Sequence, residues 1–596
     1  MGVCFSFHAG GKDTGSKSEQ EQQHVGRNEL ERLPQQLLVL VLSRLDQREL
    51  FGAASLVCKA WQGAAQQAAQ QLQLNLSYLA ALGAHPRFVQ LMKWVHTHGQ
   101  QLQQLHLCSS APLGESNRRM LLRCLAPQPQ GLLREPWPLQ EQEVPAAAVL
   151  QLQQLTLQLD LEVGDVDFIA DHVCAQAPML QHLKLQPLKA SLADLQLMVI
   201  ACILGSLVGV DSLGPMLPHL DACSASVQHL AATATQLRSL SLSRYQVGST
   251  SCISSATQLT ALQLQHCGLT DEALGGLQSL VGLQRLELSD NLLSSGSCQA
   301  LCHLTQLTHL DLSVMPQISR LRQSGSADIS PLSKLTRLQQ LNLVGFGLAD
   351  VTPLSSLGQL SRLEAGLNPL SGDSLRVLGW LPALAHLELG GISQAWVLSS
   401  SLPPPEALRA HDACWYGLSG LTACTHLDLA GSNLSHVVWS CHLCPALGYA
   451  SQLQRLILAH GHTPRGALVQ LAALPGLAGS LQELSIDRCS ADNAELAALS
   501  ALSQLTRLSA AALSPKIGNK QAALLAQLRS LQVLCVRGND LGNKGLQALA
   551  KGLPQLVCLD AGDNPRVSKR CAQQLAPLLE HGEAAAAREE VEGRFW

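Results

Sequence analysis

Leucines recur along this chain in one spaced motif, L-x-x-L-x-L-x-x-N/C-x-L. Aligned on the first position, copies begin at Leu237, Leu259, Leu283, Leu307, Leu338, Leu360, Leu384, Cys424, Leu453, Leu481, Leu505, Leu531 and Leu556. The steps 259→283, 283→307, 360→384 and 481→505 each span 24 residues. Weaker copies begin at Leu102, Leu152 and Leu180. The central L-x-L has period two, so it predicts a short strand with both leucines on one face. The ninth position must satisfy backbone groups where the chain leaves the strand. Asn291, Asn368, Asn539 and Asn564 bring an amide to it, and Cys267 and Cys489 fill it as small buried residues. Between strands the chain returns with leucines at helix-like spacing, as in Leu274, Leu277 and Leu280.

This pattern resembles the leucine-rich-repeat family over most of the chain. The resemblance implies an α/β, right-handed solenoid, with short parallel strands on a concave face and helices or loops on the convex face. A repeat array also accommodates 596 residues, more than one ordinary core holds, because each repeat packs on its neighbours. The expected organisation is a disordered segment at 1–29, a helical domain at 30–72, repeats over 73–580 and a tail at 581–596. Insertions are expected near 108–149, which is proline-rich, and near 390–423, within a 40-residue step from Leu384 to Cys424.

Composition narrows the function class. Hydrophobic residues are 46% of the chain but aromatics only 3%, so leucine and alanine fill the interior. The formal net charge is −4 and no basic stripe is visible, which argues against nucleic acid as a partner. The 19 cysteines are scattered, and no secretory leader opens the sequence, so reduced thiols and a cytoplasmic setting are expected. The longest apolar run, Leu197 to Val210, is shorter than the ~20 residues a membrane helix needs.

Ahead of the repeats lies a different pattern. Pro34 suits a helix start, and Leu37, Leu38, Val41 and Leu45 share one helical face. Asp46 with Glu49 three residues on makes a capping-box pair for a second helix. Leu50, Leu56, Val57 and Trp61 complete a three-helix unit. The stretch resembles the F-box at Leu33-Pro34-x-x-Leu37-Leu38, at Leu42-x-x-Leu45-Asp46-x-x-x-Leu50 and at Val57-Cys58-Lys59-x-Trp61. Gln36 stands where the family often has an acid. The resemblance implies docking onto the Skp-type adaptor of a cullin ubiquitin ligase through Leu33, Pro34, Leu37, Leu38, Val41, Leu45, Leu50, Val57, Cys58 and Trp61. An ordinary helical cap on the solenoid would explain the leucines but not the terminal Val-Cys-Lys-x-Trp.

Met1-Gly2-Val3-Cys4-Phe5-Ser6 fits the N-myristoylation pattern. Gly2 and Cys4 are candidates for paired acylation at a membrane surface, since one acyl chain alone anchors only marginally. Catalytic motifs do not stand up. Gly10 to Lys17 lacks the lysine after Gly15 that a phosphate loop needs, and neither H-E-x-x-H nor G-x-S-x-G occurs. Cys441-His442-Leu443-Cys444 is a C-x-x-C without a second close cysteine pair, so no metal or cofactor is expected and the pair reads as loop cysteines.

On the concave face, the fifth repeat position carries acids: Glu287, Asp311, Glu364, Glu388 and Asp428. The third carries bases: Arg285, His309, Arg362, His386 and His426. Stacked at strand spacing the acids repel, and the basic column is expected to neutralise them on an open surface without a pocket. These ten residues are the candidate target-binding face. The chain is therefore expected to be the non-catalytic substrate receptor of a Skp–cullin–F-box ligase, with an unidentified protein target. A lipid-anchored interaction scaffold is the first alternative. A GTPase-activating repeat protein is the second, disfavoured because that type has ~28–29-residue repeats.

Overall fold

The computed structural model describes residues 219–574 apart from 246, 315–326, 371, 392–414 and 433, together with 71–75, 103–109, 152–159, 163–174, 180–186 and a few isolated positions. The F-box-like stretch, Gly2 and Cys4, the run 197–210, most of both expected insertions and the tail lie outside the described residues.

The chain divides into two units, one formed by 1–161 with 171–183 and the other by 162–170 with 184–596. In the first, strands β1 (Gln71–Asn75), β2 (Gln104–Cys108) and β3 (Gln154–Gln158) run parallel. Their leucines are in register, with Leu72 opposite Leu105 and Leu105 opposite Leu155. Strand β1 starts inside the segment expected to belong to the helical domain, so the repeat architecture begins earlier than the spacing indicated. The weak copies at Leu102 and Leu152 are true repeats, and β4 (His182–Gln186) follows the third, at Leu180.

The second unit carries thirteen further strands among the described residues, one for each clear copy of the motif. They are β5 (Ser239–Ser241), β6 (Ala261–Gln263), β7 (Arg285–Glu287), β8 (His309–Asp311), β9 (Gln340–Asn342), β10 (Arg362–Glu364), β11 (His386–Glu388), β12 (His426–Asp428), β13 (Arg455–Ile457), β14 (Glu483–Ser485), β15 (Arg507–Ser509), β16 (Val533–Cys535) and β17 (Cys558–Asp560). Each begins two residues after the first motif position. Every neighbouring pair is parallel, with its central leucines opposite one another, as in Leu341, Leu363 and Leu387. Each junction has one carbonyl accepting two successive N–H groups, as Thr260 O does from Gln284 and Arg285 at 2.7 and 3.0 Å.

The ninth-position residues fasten one repeat to the one before it. Asn539 Nδ2 donates to the Ala510 carbonyl at 2.9 Å, and its Oδ1 accepts from the N–H groups of Leu513 and Ile517. Asn291, Asn368 and Asn564 repeat this arrangement one repeat apart from their own partners. Cys267 and Cys489 supply half of it: each sulfur donates to the preceding repeat's carbonyl, Leu242 O and Leu458 O, at 3.2 and 3.1 Å.

One position earlier the backbone turns left-handed. The eighth residue has positive φ in twelve of these repeats: Arg244, His266, Asp290, Gly345, Leu367, Gly391, Gly431, His460, Arg488, Gly538, Ala512 and Asp563. Eight of the twelve carry a side chain in a region that disfavours one by ~1–2 kcal/mol each, so the ladder behind them holds the turn.

The returning segments are tight. Leu274, Leu277 and Leu280 are fully buried, and 272–279 is a 3-10 helix, whose three residues per turn match the i, i+3 spacing. Pro331 and Pro353 open equivalent 3-10 turns. Other repeats return through α-helices, as at Asn543–Gly552. Among the described residues no helix is long and apolar enough to cross a membrane.

Candidate functional site

The leucines of each strand face the core, so third- and fifth-position side chains emerge on the opposite face in two parallel columns. Register places Arg285, His309, Gln340, Arg362, His386, His426 and Arg455 in one column. It places Glu287, Asp311, Asn342, Glu364, Glu388 and Asp428 in the other. All ten residues expected on the target-binding face therefore lie on one continuous ribbon. Asn342 interrupts the acids, dividing them into a pair on β7 and β8 and a trio on β10, β11 and β12.

Two features of the ribbon differ from the expectation. The first is burial. Glu364 and Glu388 are only 8% and 6% exposed, because long side chains lying across 3-residue strands cover each other. The surface is not flat either: β7 to β10 enclose a groove of about 170 Å³ lined by Arg285, Glu287, His309, Asp311, Arg362 and Glu364. Burial there pushes the Asp311 carboxyl up to about 6, with the charges of Glu287 and Glu364 adding to the shift.

The second is the source of neutralisation. Arg285 and Arg362 act along their own strands: Arg285 Nε reaches Glu287 Oε1 at 2.7 Å, and Arg362 reaches Glu364 Oε1 at 2.6 Å, whereas Arg455 reaches across to Glu483 on the next strand at 3.3 Å. Gln265 Nε2 adds a hydrogen bond to Glu287 Oε2 at 2.9 Å. His309 and His426 do not share this role at neutral pH. Burial, followed by the neighbouring Arg285, lowers the His309 pKa from 6.5. Burial and then Arg455 do the same to His426.

Both of these imidazoles are oriented by the residue before them. The Thr308 hydroxyl donates to the Gln284 carbonyl at 3.0 Å and lies 2.8 Å from His309 Nδ1. The Thr425 hydroxyl donates to the Ala385 carbonyl at 3.1 Å and lies 2.8 Å from His426 Nδ1. Each contact fixes the ring orientation and couples the tautomer to the hydroxyl: a hydroxyl that gives its hydrogen to the carbonyl accepts from Nδ1–H, and one that gives it to Nδ1 puts the ring proton on Nε2. The signal was visible as the repeated Thr-His-Leu-Asp-Leu at 308–312 and 425–429. The His386 ring stacks on His426, with centroids 5.4 Å apart and planes at 28°.

The ribbon ends in an apolar patch. Ile457, in the fifth column of β13, clusters with Ala430 and Ala459. The C-x-x-C is not in a loop: residues 438–443 form a π-helical turn that continues into a helix at Cys444–Leu447. Cys441 is exposed there and Cys444 buried.

Leu33, Pro34, Leu37, Leu38, Val41, Leu45, Leu50, Val57, Cys58 and Trp61, and likewise Gly2 and Cys4, lie outside the described residues.

Comparison with known proteins bears on both parts of the chain. A family model described as F-box-like matches residues 30–69, and one described as leucine rich repeat matches 257–314. No curated protein matches the sequence. Among solved structures, a leucine-rich-repeat protein of Leptospira interrogans is 19% identical, covering 82% of this chain and 96% of its own with a TM-score of 0.43. An internalin of Listeria monocytogenes is 21% identical, covering 56% of this chain and 88% of its own with a TM-score of 0.36. With scores this low, the fold stands on its own strand register and repeat spacing. The chain therefore carries an F-box-like match at 30–69 ahead of a leucine-rich-repeat match at 257–314, within an α/β repeat fold.

Proposed function

We propose that this chain is the substrate-recognition subunit of a Skp–cullin–F-box ubiquitin ligase. The observation that carries the reading is the F-box-like match at 30–69 ahead of the repeats. The helical module docks a Skp-type adaptor, which bridges to the cullin, and the repeats hold a protein target. No residue of this chain performs chemistry in that arrangement; its contribution is to hold one protein near another.

The target face is the charged ribbon from β7 to β12. Arg285 and Arg362 pair with Glu287 and Glu364 along their strands, and Glu364 and Glu388 are desolvated, a preorganised surface whose charges discriminate partners and steer encounter. The groove over β7 to β10 offers concave depth for a target side chain.

Affinity purification followed by mass spectrometry tests both halves. Leu37→Ala with Leu38→Ala should lose adaptor and cullin while keeping targets. Glu364→Gln, Glu388→Gln and Asp428→Asn together should lose targets while keeping adaptor. If the unaltered chain never recovers an adaptor, the ligase reading fails and the repeats stand as an interaction scaffold. If the triple amide keeps every target, the ribbon is not the target face.

A further inference from the structure

The acids and histidines of the ribbon form three sets with one pattern. An acid on one strand faces an acid on the next, and a histidine lies two residues before the second acid. Glu287, His309 and Asp311 make the first set; Glu364, His386 and Glu388 make the second; Glu388, His426 and Asp428 make the third, where the shorter Asp428 accepts from the Ala430 N–H at 2.8 Å. Only the second set converges. One donor atom from each of Glu364, His386 and Glu388 lies within 4.8 Å of the others, and among the described residues no other group does this.

The difference has physical causes. Asp311 is one methylene shorter than Glu388, and its Oδ1 accepts from the Ser313 N–H at 2.9 Å. Glu287 is held on both oxygens, by Arg285 and by Gln265. In the second set, Arg362 engages Oε1 of Glu364. Gly366 and Gly390 follow in the seventh column.

We propose that Glu364, His386 and Glu388 bind one divalent transition-metal ion of the zinc type. Two carboxylates and an imidazole are a donor set that such ions accept. Tetrahedral zinc holds donors at about 2.0–2.2 Å, hence about 3.4 Å from one another, so the glutamates close in by rotamer adjustment without backbone movement. Two largely buried carboxylates on adjacent strands repel, and a dication between them removes that repulsion. His426 stands beside the set, its ring stacked on that of His386. Its Nδ1 is taken by the Thr425 hydroxyl at 2.8 Å, and solvent completes the coordination of the ion.

The site stands apart from the target-receptor reading, because metal uptake is measured on the purified chain without adaptor or target. The full chain is stripped with a chelator and titrated with zinc against a chromophoric competitor, then loaded with cobalt for its visible spectrum. One equivalent of zinc should bind. Glu388→Gln and His386→Ala should each weaken it at least 10-fold, the scale on which even outer-shell losses act. Asp311→Asn should leave the affinity unchanged, as should Cys441→Ser with Cys444→Ser. Bound cobalt should give the bands of an oxygen and nitrogen environment without thiolate charge transfer. Glu388→Gln is isosteric, and an unchanged circular dichroism spectrum ties its loss to the site. Failure of the wild type to take up zinc overturns the proposal. So does full affinity in both Glu388→Gln and His386→Ala, or a thiolate signature lost with the cysteine pair.

Discussion

Strands β7 to β12 and strands β13 to β16 have the same frame and different fifth columns. In both, the central leucine is buried to 2% exposure or less and stands opposite its neighbours. In the first region the fifth column reads Glu287, Asp311, Asn342, Glu364, Glu388 and Asp428; in the second it reads Ile457, Ser485, Ser509 and Cys535. The ladder continues through β13 to β16 without acids in that column, so the acids of β7 to β12 are not what holds the sheet. They are also a cost, since their side chains are desolvated beside one another, as the raised Asp311 pKa records. A costly feature that the frame does not need points to selection for something other than stability.

The frame itself should respond alike in both regions. Leu387→Ala, under the acid column, and Leu508→Ala, where that column holds no acid, should each cost ~2–5 kcal/mol in denaturant unfolding. A marked difference between them would show that the surface charges alter the core.

The next effect is at the ninth position. Asn539→Ala leaves two buried N–H groups and the Ala510 carbonyl without their present partner, so a loss of ~2–4 kcal/mol is expected. Asn539→Cys should lose less, because Cys267 and Cys489 show that a thiol keeps the carbonyl contact. Equal losses would mean that the amide's accepting oxygen carries the whole effect.

A smaller effect tests the cost of the charged surface. Asp311 titrates near 6 in the fold against 3.8 when free, so the folded state binds more protons between those values. Stability from this group is therefore present below pH ~4, falls as pH rises through 4 to 6, and stays lost above. Asp311→Asn should stabilise the chain by ~1–2 kcal/mol at pH 7.5, a figure discounted because the group is half-buried, and by nothing at pH 3.5. Asn342 already keeps the equivalent contact, its Oδ1 accepting from the Val344 N–H at 3.1 Å. Melting curves at the two pH values decide it; a gain at both would place the cause elsewhere. Reversing Glu364 and Glu388 to lysine would be a poor probe of the ribbon, because each ammonium would be buried.

The smallest effect is at the left-handed turn. Ala512 has φ 50° where Gly345, Gly391, Gly431 and Gly538 occupy the same place in other repeats. Ala512→Gly should raise stability by ~0.5–1 kcal/mol, the strain relieved less the added chain entropy. An unchanged or lower melting temperature would mean that the turn carries no such strain.

Much of this was open to reading along the chain. Thirteen strands begin where the leucine spacing put them, because a repeat leaves each L-x-L one way to bury both leucines. The two columns also follow from period-two alternation. Distances between side chains are another matter. Nothing in Glu287-x-Asp311 and Glu364-x-Glu388 as letters separates the set that converges from the set that does not.

The sequence by itself determined the repeat, the inward leucines, the bridging asparagines and the face on which each charge emerges, since each follows from periodicity and from what a buried backbone requires. Only the tertiary structure decided that the eighth residue turns left-handed whatever its side chain. It alone decided that Glu364 and Glu388 are buried, that Arg285 and Arg362 pair along their strands, and that the Thr308 and Thr425 hydroxyls meet Nδ1 of the histidines that follow them. The physical reason is that these depend on how neighbouring repeats cover one another at strand spacing of ~4.8 Å, where one methylene or one hydroxyl changes which atoms meet.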